Sequence, residues 1–178
     1  MSLHLMCAAL LALGSYCIPT TSGISYPKTL PCDVSEVHNG TAVKVDCTER
    51  RLKEVPVAIP GETTNLTLTI NHIPNLNSTS FQGLDNLTEI DMRCNCVPIK
   101  IGPKDNMCTK SVTIADDTFT ALRNLRALYL DGNQLDSIPK GLPSNLVLLS
   151  LEVNHISYIS KKNLSEIRNV QVLYLGQN

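Results

Sequence analysis

The chain has 178 residues, 43% of them hydrophobic and 17% charged, a balance that suits a folded globular domain and excludes a polar disordered tail. A formal net charge of -1 excludes the broad basic excess of a general nucleic-acid binder, so any anion site has to be local. With no Trp, and with Phe81 and Phe119 as its only phenylalanines, the core has to be built from Leu, Ile and Val.

Residues 1–23 come first. The run LHLMCAALLALGSYCI at 3–18 is apolar, too short to span a bilayer comfortably, and followed by the small residues Thr21, Ser22 and Gly23. It reads as a signal peptide, and no later run is long and apolar enough for a membrane span. Entry into the secretory pathway makes disulfides the expected state of the cysteines beyond it, Cys32, Cys47, Cys94, Cys96 and Cys108. Five is odd, so one thiol is left free or joined to a partner outside the chain. The same compartment makes N-x-S/T sites usable, and they stand at Asn39, Asn65, Asn77, Asn86 and Asn163.

In the next stretch, 24–62, Cys32 and Cys47 bracket the alternating Val43 and Val45, and a bridge between them would contribute about 3 kcal/mol on the chain-entropy account. From 63 onward the sequence repeats itself. Leu66, Leu68, Asn71 and Ile73 recur as Ile90, Met92, Asn95 and Val97, as Leu128, Leu130, Asn133 and Leu135, and as Leu149, Leu151, Asn154 and Ile156; a fifth copy begins at Leu173 and Leu175 and reaches Asn178. This is the L-x-L-x-x-N-x-L core of a leucine-rich repeat.

Each fixed position has a physical role. Alternating leucines belong to a short strand with one side chain inward and the next outward. The asparagine, turned inward at the bend, can bond peptide groups of neighbouring coils. A coil buries its leucines only against the next, so the expected fold is an α/β leucine-rich-repeat solenoid: short parallel strands on the concave face, an irregular or short helical convex side, and residues 24–62 as an amino-terminal disulfide cap.

Asparagine spacings of 24, 38, 21 and 24 residues place an excess of 14 in the second coil. Phe81 and Leu164 each lie ten residues after their asparagine, and Phe119 does so once those 14 are removed. The insertion therefore falls within 96–113. About four and a half coils occupy 63–178, with no carboxy-terminal cap, membrane span or signalling domain, and a cut at Asn178 leads us to expect further coils in the natural molecule.

The strings PCDV, VDCTERRLKEVP, NLTLTINHIP, EIDMRCNCVP, LYLDGNQL and LYLGQN resemble the start of a Toll-like receptor ectodomain, within the endosomal branch that senses nucleic acid. The likeness runs over residues 26–178, and the insertion starting RCNC is its specific part. It implies a pattern-recognition receptor of innate immunity and inflammatory response, sensing single-stranded RNA and guanosine-type nucleosides. It also implies a homodimer in the full receptor, membrane attachment only through a missing carboxy-terminal region, and residence in the endoplasmic reticulum and endosomal lumen. The fragment itself would be lumenal or secreted. The small-nucleoside site of similar receptors lies in later repeats and maps to no residue of this chain.

Two rows flank the inward leucines on the concave face: Thr67, Asp91, Tyr129, Ser150 and Tyr174, then Thr69, Arg93, Asp131, Glu152 and Gly176. Tyr129 and Tyr174 could stack on unpaired bases, although Asp91, Asp131 and Glu152 repel phosphate and suit a plain solvated face. The stretch carrying Arg93, Lys100, Lys104 and Lys110 against Asp105 has a local basic excess, so these cations are candidate ligand-binding residues, or a tethered solvated loop.

Cys96 and Cys108 could close the insertion while Cys94 takes a partner outside the chain, or Cys94 and Cys96 could exchange roles. Zinc held by Cys94, Cys96, Cys108 and a histidine is the sharper but less fitting alternative, because C-x-C is atypical spacing. His72 and His155 each follow a repeat asparagine and could sense acidification, or simply be polar turn residues. No nucleophile elbow, phosphate-binding loop or zinc-protease helix appears, so neither an enzyme, a cofactor nor a metal is expected. The alternative is an extracellular protein-binding repeat module of matrix or adhesion type, or a non-signalling decoy, since fold alone does not give function.

Overall fold

The computed structural model describes residues 29–37, 40–100 and 106–178, with the backbone alone at 97–100 and 106–109. The expected signal peptide, Asn39 and Lys104 lie outside the described residues, as do the side chains of Lys100 and Cys108.

The first element is an antiparallel hairpin, β1 (Asp33–Val37) against β2 (Ala42–Asp46), with Gly40 at φ 84° in its turn. In β2 the alternation of Val43 and Val45 turns both valines into the core. The Cys32–Cys47 disulfide ties the start of β1 to the end of β2, and Arg50 pairs with Asp33 beside it. The far edge of β2 runs parallel to β3 (Thr63–Thr67), so the solenoid sheet starts inside the cap rather than at the first leucine repeat. Apolar edges that a first coil would expose are thereby covered.

The coils follow. After β3 and the two-residue β4 (Asn75–Leu76) come β5 (Glu89–Asp91), a hairpin of β6 (Val97–Lys100) and β7 (Asn106–Lys110), β8 (Thr113–Ile114), β9 (Ala127–Tyr129), β10 (Leu148–Ser150), helix α1 (Lys161–Glu166) and β11 (Val172–Tyr174). One seven-stranded sheet runs β1-β2-β3-β5-β9-β10-β11, parallel from β2 onward. Its register aligns Leu66, Ile90, Leu128, Leu149 and Leu173. The expected solenoid is the fold observed. Beyond the strands, Leu68, Met92, Leu130 and Leu151 are fully buried in the second leucine row, and Phe81 stacks on Phe119 with ring centroids 5.8 Å apart.

Each repeat asparagine works as the sequence suggests. Asn133 donates to the carbonyls of Met92 and Leu130, both at 2.9 Å, and accepts from the Asn95 amide at 2.7 Å. Asn154 and Asn178 repeat this arrangement, and Asn71 extends it into the cap by accepting from the Leu52 amide. Asn95 makes only the donor half, because its Oδ1 has no partner. A second ladder runs along the other side of the coils, where Asn86, Asn124, Asn145 and Asn169 each donate to a carbonyl of the preceding coil at 2.7–2.9 Å.

The strand bends just before every ladder asparagine, and the bending residues Ile70, Cys94, Gly132, Val153 and Gln177 all have φ between 55° and 67°. The inserted residues leave after Asn95 as the β6–β7 hairpin, with Pro98 opposite Cys108, and return so that β8 pairs with β4. The convex side departs from the spacing argument at Leu164. Phe81 and Phe119 are buried, but Leu164 is exposed, because Ser160 caps a six-residue helix there and that helix buries none of its side chains; Ile167, just beyond, enters the core instead.

Candidate functional site

The middle of the concave sheet face is a compact polar cluster. Arg93, on the bend after β5, lies with its guanidinium carbon 5.6 Å from the centre of the Tyr129 ring on the neighbouring strand. Its Nε and one terminal nitrogen donate to the Asp91 carboxylate. That hydrogen bond, reinforced by the charges of Asp91 and Asp131, pushes the guanidinium above its already high range. Burial pushes the Tyr129 phenol up, and the carboxylates of Glu89 and Asp91 add to the effect. The ring is therefore neutral across the physiological range.

Two residues expected to face solvent from the first concave row are buried instead, Asp91 and Ser150. Asp91 is drawn under Arg93, and Ser150 donates to Asp131, which also accepts from the Glu152 amide at 2.7 Å. Asp131 is thus a bracket holding two adjacent coils, a role that sequence reasoning missed. Among the charged residues that remain outward on this sheet, Asp46, Glu89, Asp131 and Glu152 outnumber Lys44 and Arg93, beside the neutral Thr67, Thr69 and Tyr129. Tyr174 is 47% exposed on the last described strand. Arg93 and Tyr129 are brought together; Tyr174 sits two strands away, and Lys110, exposed at the end of the β6–β7 hairpin, lies outside this cluster.

Near the hairpin root, Cys94 is a free, exposed thiol and Cys96 is buried in a disulfide. A disulfide sulfur is not a thiolate ligand, so the zinc alternative falls for Cys96. Among the described residues no three His, Cys, Asp or Glu side chains gather as an ion-holding group. Gly132 of the next coil lies beneath Cys94, and a Cβ there would stand 3.2 Å from the Cys94 sulfur. Of the two histidines, His155 is exposed, whereas His72 is half-buried with its Nδ1 enclosed and unpartnered. The sequon asparagines also differ. Asn65 donates to Glu89 and Asn86 to the Gly61 carbonyl; Asn163 is locked into the capping box of α1, while Asn77 sits in an exposed turn.

These features define a leucine-rich-repeat solenoid with a disulfide-closed amino-terminal cap and one cysteine-bearing inserted hairpin. No protein-family profile matches the chain. Individual proteins do: mouse Toll-like receptor 7 is 56% identical over 153 residues, covering 86% of this chain and 15% of that receptor. Human Toll-like receptor 8 is 38% identical over 154 residues, 86% of this chain and 15% of that receptor; mouse Toll-like receptor 9 is 33% identical over 156 residues, 85% and 14% respectively. The chain belongs to the Toll-like receptor family, in the group that holds receptors 7, 8 and 9, and it spans about 15% of the length of the relatives it matches.

Proposed function

We propose that this solenoid is part of the lumenal ligand-sensing ectodomain of an innate-immune receptor for single-stranded RNA and guanosine-type nucleosides, acting in endosomes as a homodimer. The observation that carries the reading is the 56% identity to Toll-like receptor 7 over 86% of the chain. The role is binding rather than catalysis, and the membrane span and signalling domain of such a receptor belong to other parts of its sequence. Among the described residues no helix is long and apolar enough to cross a membrane.

The reading divides the labour of holding RNA. Phosphates would be repelled by Asp131 and Glu152 on the sheet, so the backbone of a strand is held by the basic hairpin, through Lys100, Lys104 and Lys110, while an unpaired base stacks on the neutral Tyr129 ring. Tyr174 offers a second ring further along. Arg93 serves by holding one face of the Tyr129 ring, since two of its donors are already committed to Asp91. Cys94 forms a disulfide with a partner outside the chain, and Cys96 closes the hairpin with Cys108, whose backbone lies opposite Pro98. The test is RNA affinity of a full-length ectodomain as a function of salt, with Lys100, Lys104 and Lys110 changed to Gln. Weaker binding and a shallower salt slope are expected, by up to about two to three units for three lost phosphate contacts. An unchanged slope refutes the phosphate role.

One observation favours a second reading. The acidic concave rows would suit a basic protein segment, as in an adhesion-type module or a decoy. Binding of a basic peptide that survives the three lysine substitutions and is lost on changing Asp131 and Glu152 would support it.

A further inference from the structure

The convex side holds a groove at the junction of the cap and the first coil. One wall is Val55, Pro56 and Val57, with Val57 fully exposed; the other is Thr79 and Ser80, over a floor that includes Leu84. A fully exposed valine beside a formed groove is apolar surface that nothing described covers. Thr79 and Ser80 also build the turn that presents Asn77. The Asn77 Oδ1 accepts from the Thr79 amide at 2.9 Å and from its hydroxyl at 2.7 Å, and the Ser80 hydroxyl accepts from the Asn77 amide at 3.0 Å.

Asn77-Ser78-Thr79 is a glycosylation sequon on an exposed turn, and that turn holds the Thr79 hydroxyl on the side-chain amide oxygen without engaging the amide nitrogen. At Asn65 and Asn86 that nitrogen is instead committed to Glu89 and to Gly61.

We propose that Asn77 carries an N-linked glycan whose first N-acetylglucosamine lies in this groove and covers Val57 and Pro56. The inference rests on the lumenal reading above. The Asn77 Nδ2 forms a bond to the anomeric carbon of a lipid-pyrophosphate-linked oligosaccharide. The carbon–oxygen bond to pyrophosphate breaks with its electron pair leaving on phosphate, and Nδ2 gives up one proton to the transferase. The turn needs only residues 77–80, so it is available to a chain that has not yet folded. Once the coil closes, the two hydroxyl-bearing residues that hold Asn77 become a groove wall. The sugar ring's less polar face and acetamido methyl then meet the valine across it.

The experiment expresses the whole chain in a eukaryotic secretory host with methyl-labelled valine. Glycopeptide mass spectrometry reads occupancy, and nuclear Overhauser contacts are sought between the acetamido methyl of the first sugar and the Val57 methyls. Asn77→Asp, which keeps an oxygen to accept from the Thr79 amide and hydroxyl but cannot be glycosylated, is expected to lower Tm by about 3 °C in the parent and to have no effect in a Val57→Ser background, because the covered contact is then gone. An occupied Asn77 with the methyl contact and this coupling supports the proposal. Occupied sequons elsewhere with Asn77 bare, or an occupied Asn77 with no contact and the same Tm loss in both backgrounds, overturns it. A chain with no glycan at any sequon overturns the lumenal reading as well.

Discussion

Replacing Asn133 and Asn95 separately by alanine should have unequal costs, although both are buried members of the same ladder. In each case the lost donors leave carbonyls that retain other partners: Met92 O is shared by Asn95 and Asn133, and Leu130 O by Asn133 and Asn154. Each lost bond costs about 1 kcal/mol net. Asn133→Ala has a further consequence, because its Oδ1 is the acceptor for the buried Asn95 amide, which is then orphaned at a cost of about 1–3 kcal/mol. Asn95→Ala orphans no such amide, since its Oδ1 accepts nothing. The expected losses are about 4 kcal/mol for Asn133→Ala and about 2 for Asn95→Ala, which for a chain of this size separates their Tm values by roughly 4–8 °C. Urea and thermal unfolding followed by circular dichroism would measure this. Equal losses, or a larger one for Asn95→Ala, would refute the view that the ladder acts chiefly by satisfying backbone amides.

Opening the cap by Cys32→Ser with Cys47→Ser should cost about 3 kcal/mol, read as a lowered urea midpoint that reductant does not lower further. Gly141→Ala should destabilise by about 2–4 kcal/mol, because its φ is +64° and a Cβ would stand 1.9 Å from the Asp116 carbonyl oxygen; a Tm within 2 °C of the parent would contradict that. The raised Tyr129 phenol stabilises the fold in its neutral form, so that contribution is complete below about pH 10 and is lost as pH rises through the folded value. In an ultraviolet titration this tyrosine should ionise late, and Arg93→Gln, which removes the cation opposing its carboxylate neighbours, should delay it further; earlier ionisation in the variant would exclude the cation–ring contact.

The repeat was legible because burial selects aliphatic side chains at fixed offsets and the ladder selects asparagine, so Leu66 to Asn178 carry the fold on their surface. The second ladder was not read, yet it left a signal. Asn86, Asn124, Asn145 and Asn169 each stand nine residues before a ladder asparagine, a pattern hidden because asparagine on an exposed turn looks like an ordinary loop residue. At the concave face, alternation placed Arg93 and Tyr129 on the correct side. It could not foresee that Asp91 would be pulled under the guanidinium, or that Asp131 would be used by Ser150 and the Glu152 amide, because those choices follow from neighbours brought together by stacking. Leu164 shows the converse: an offset that holds for Phe81 and Phe119 fails where a local cap starts a helix.

The asparagine ladder separates the pitch of the solenoid from the length of its coils. Separations of 38 and 21 residues end in the same bond, from the Asn95 amide to Asn133 and from the Asn133 amide to Asn154, at 2.7 and 3.0 Å. A coil can therefore gain or lose residues on its outer side without disturbing its neighbours, as a rung keeps its spacing whatever hangs from it. Such an architecture accommodates an inserted loop on an unchanged spine, as the cysteine-bearing hairpin after Asn95 does.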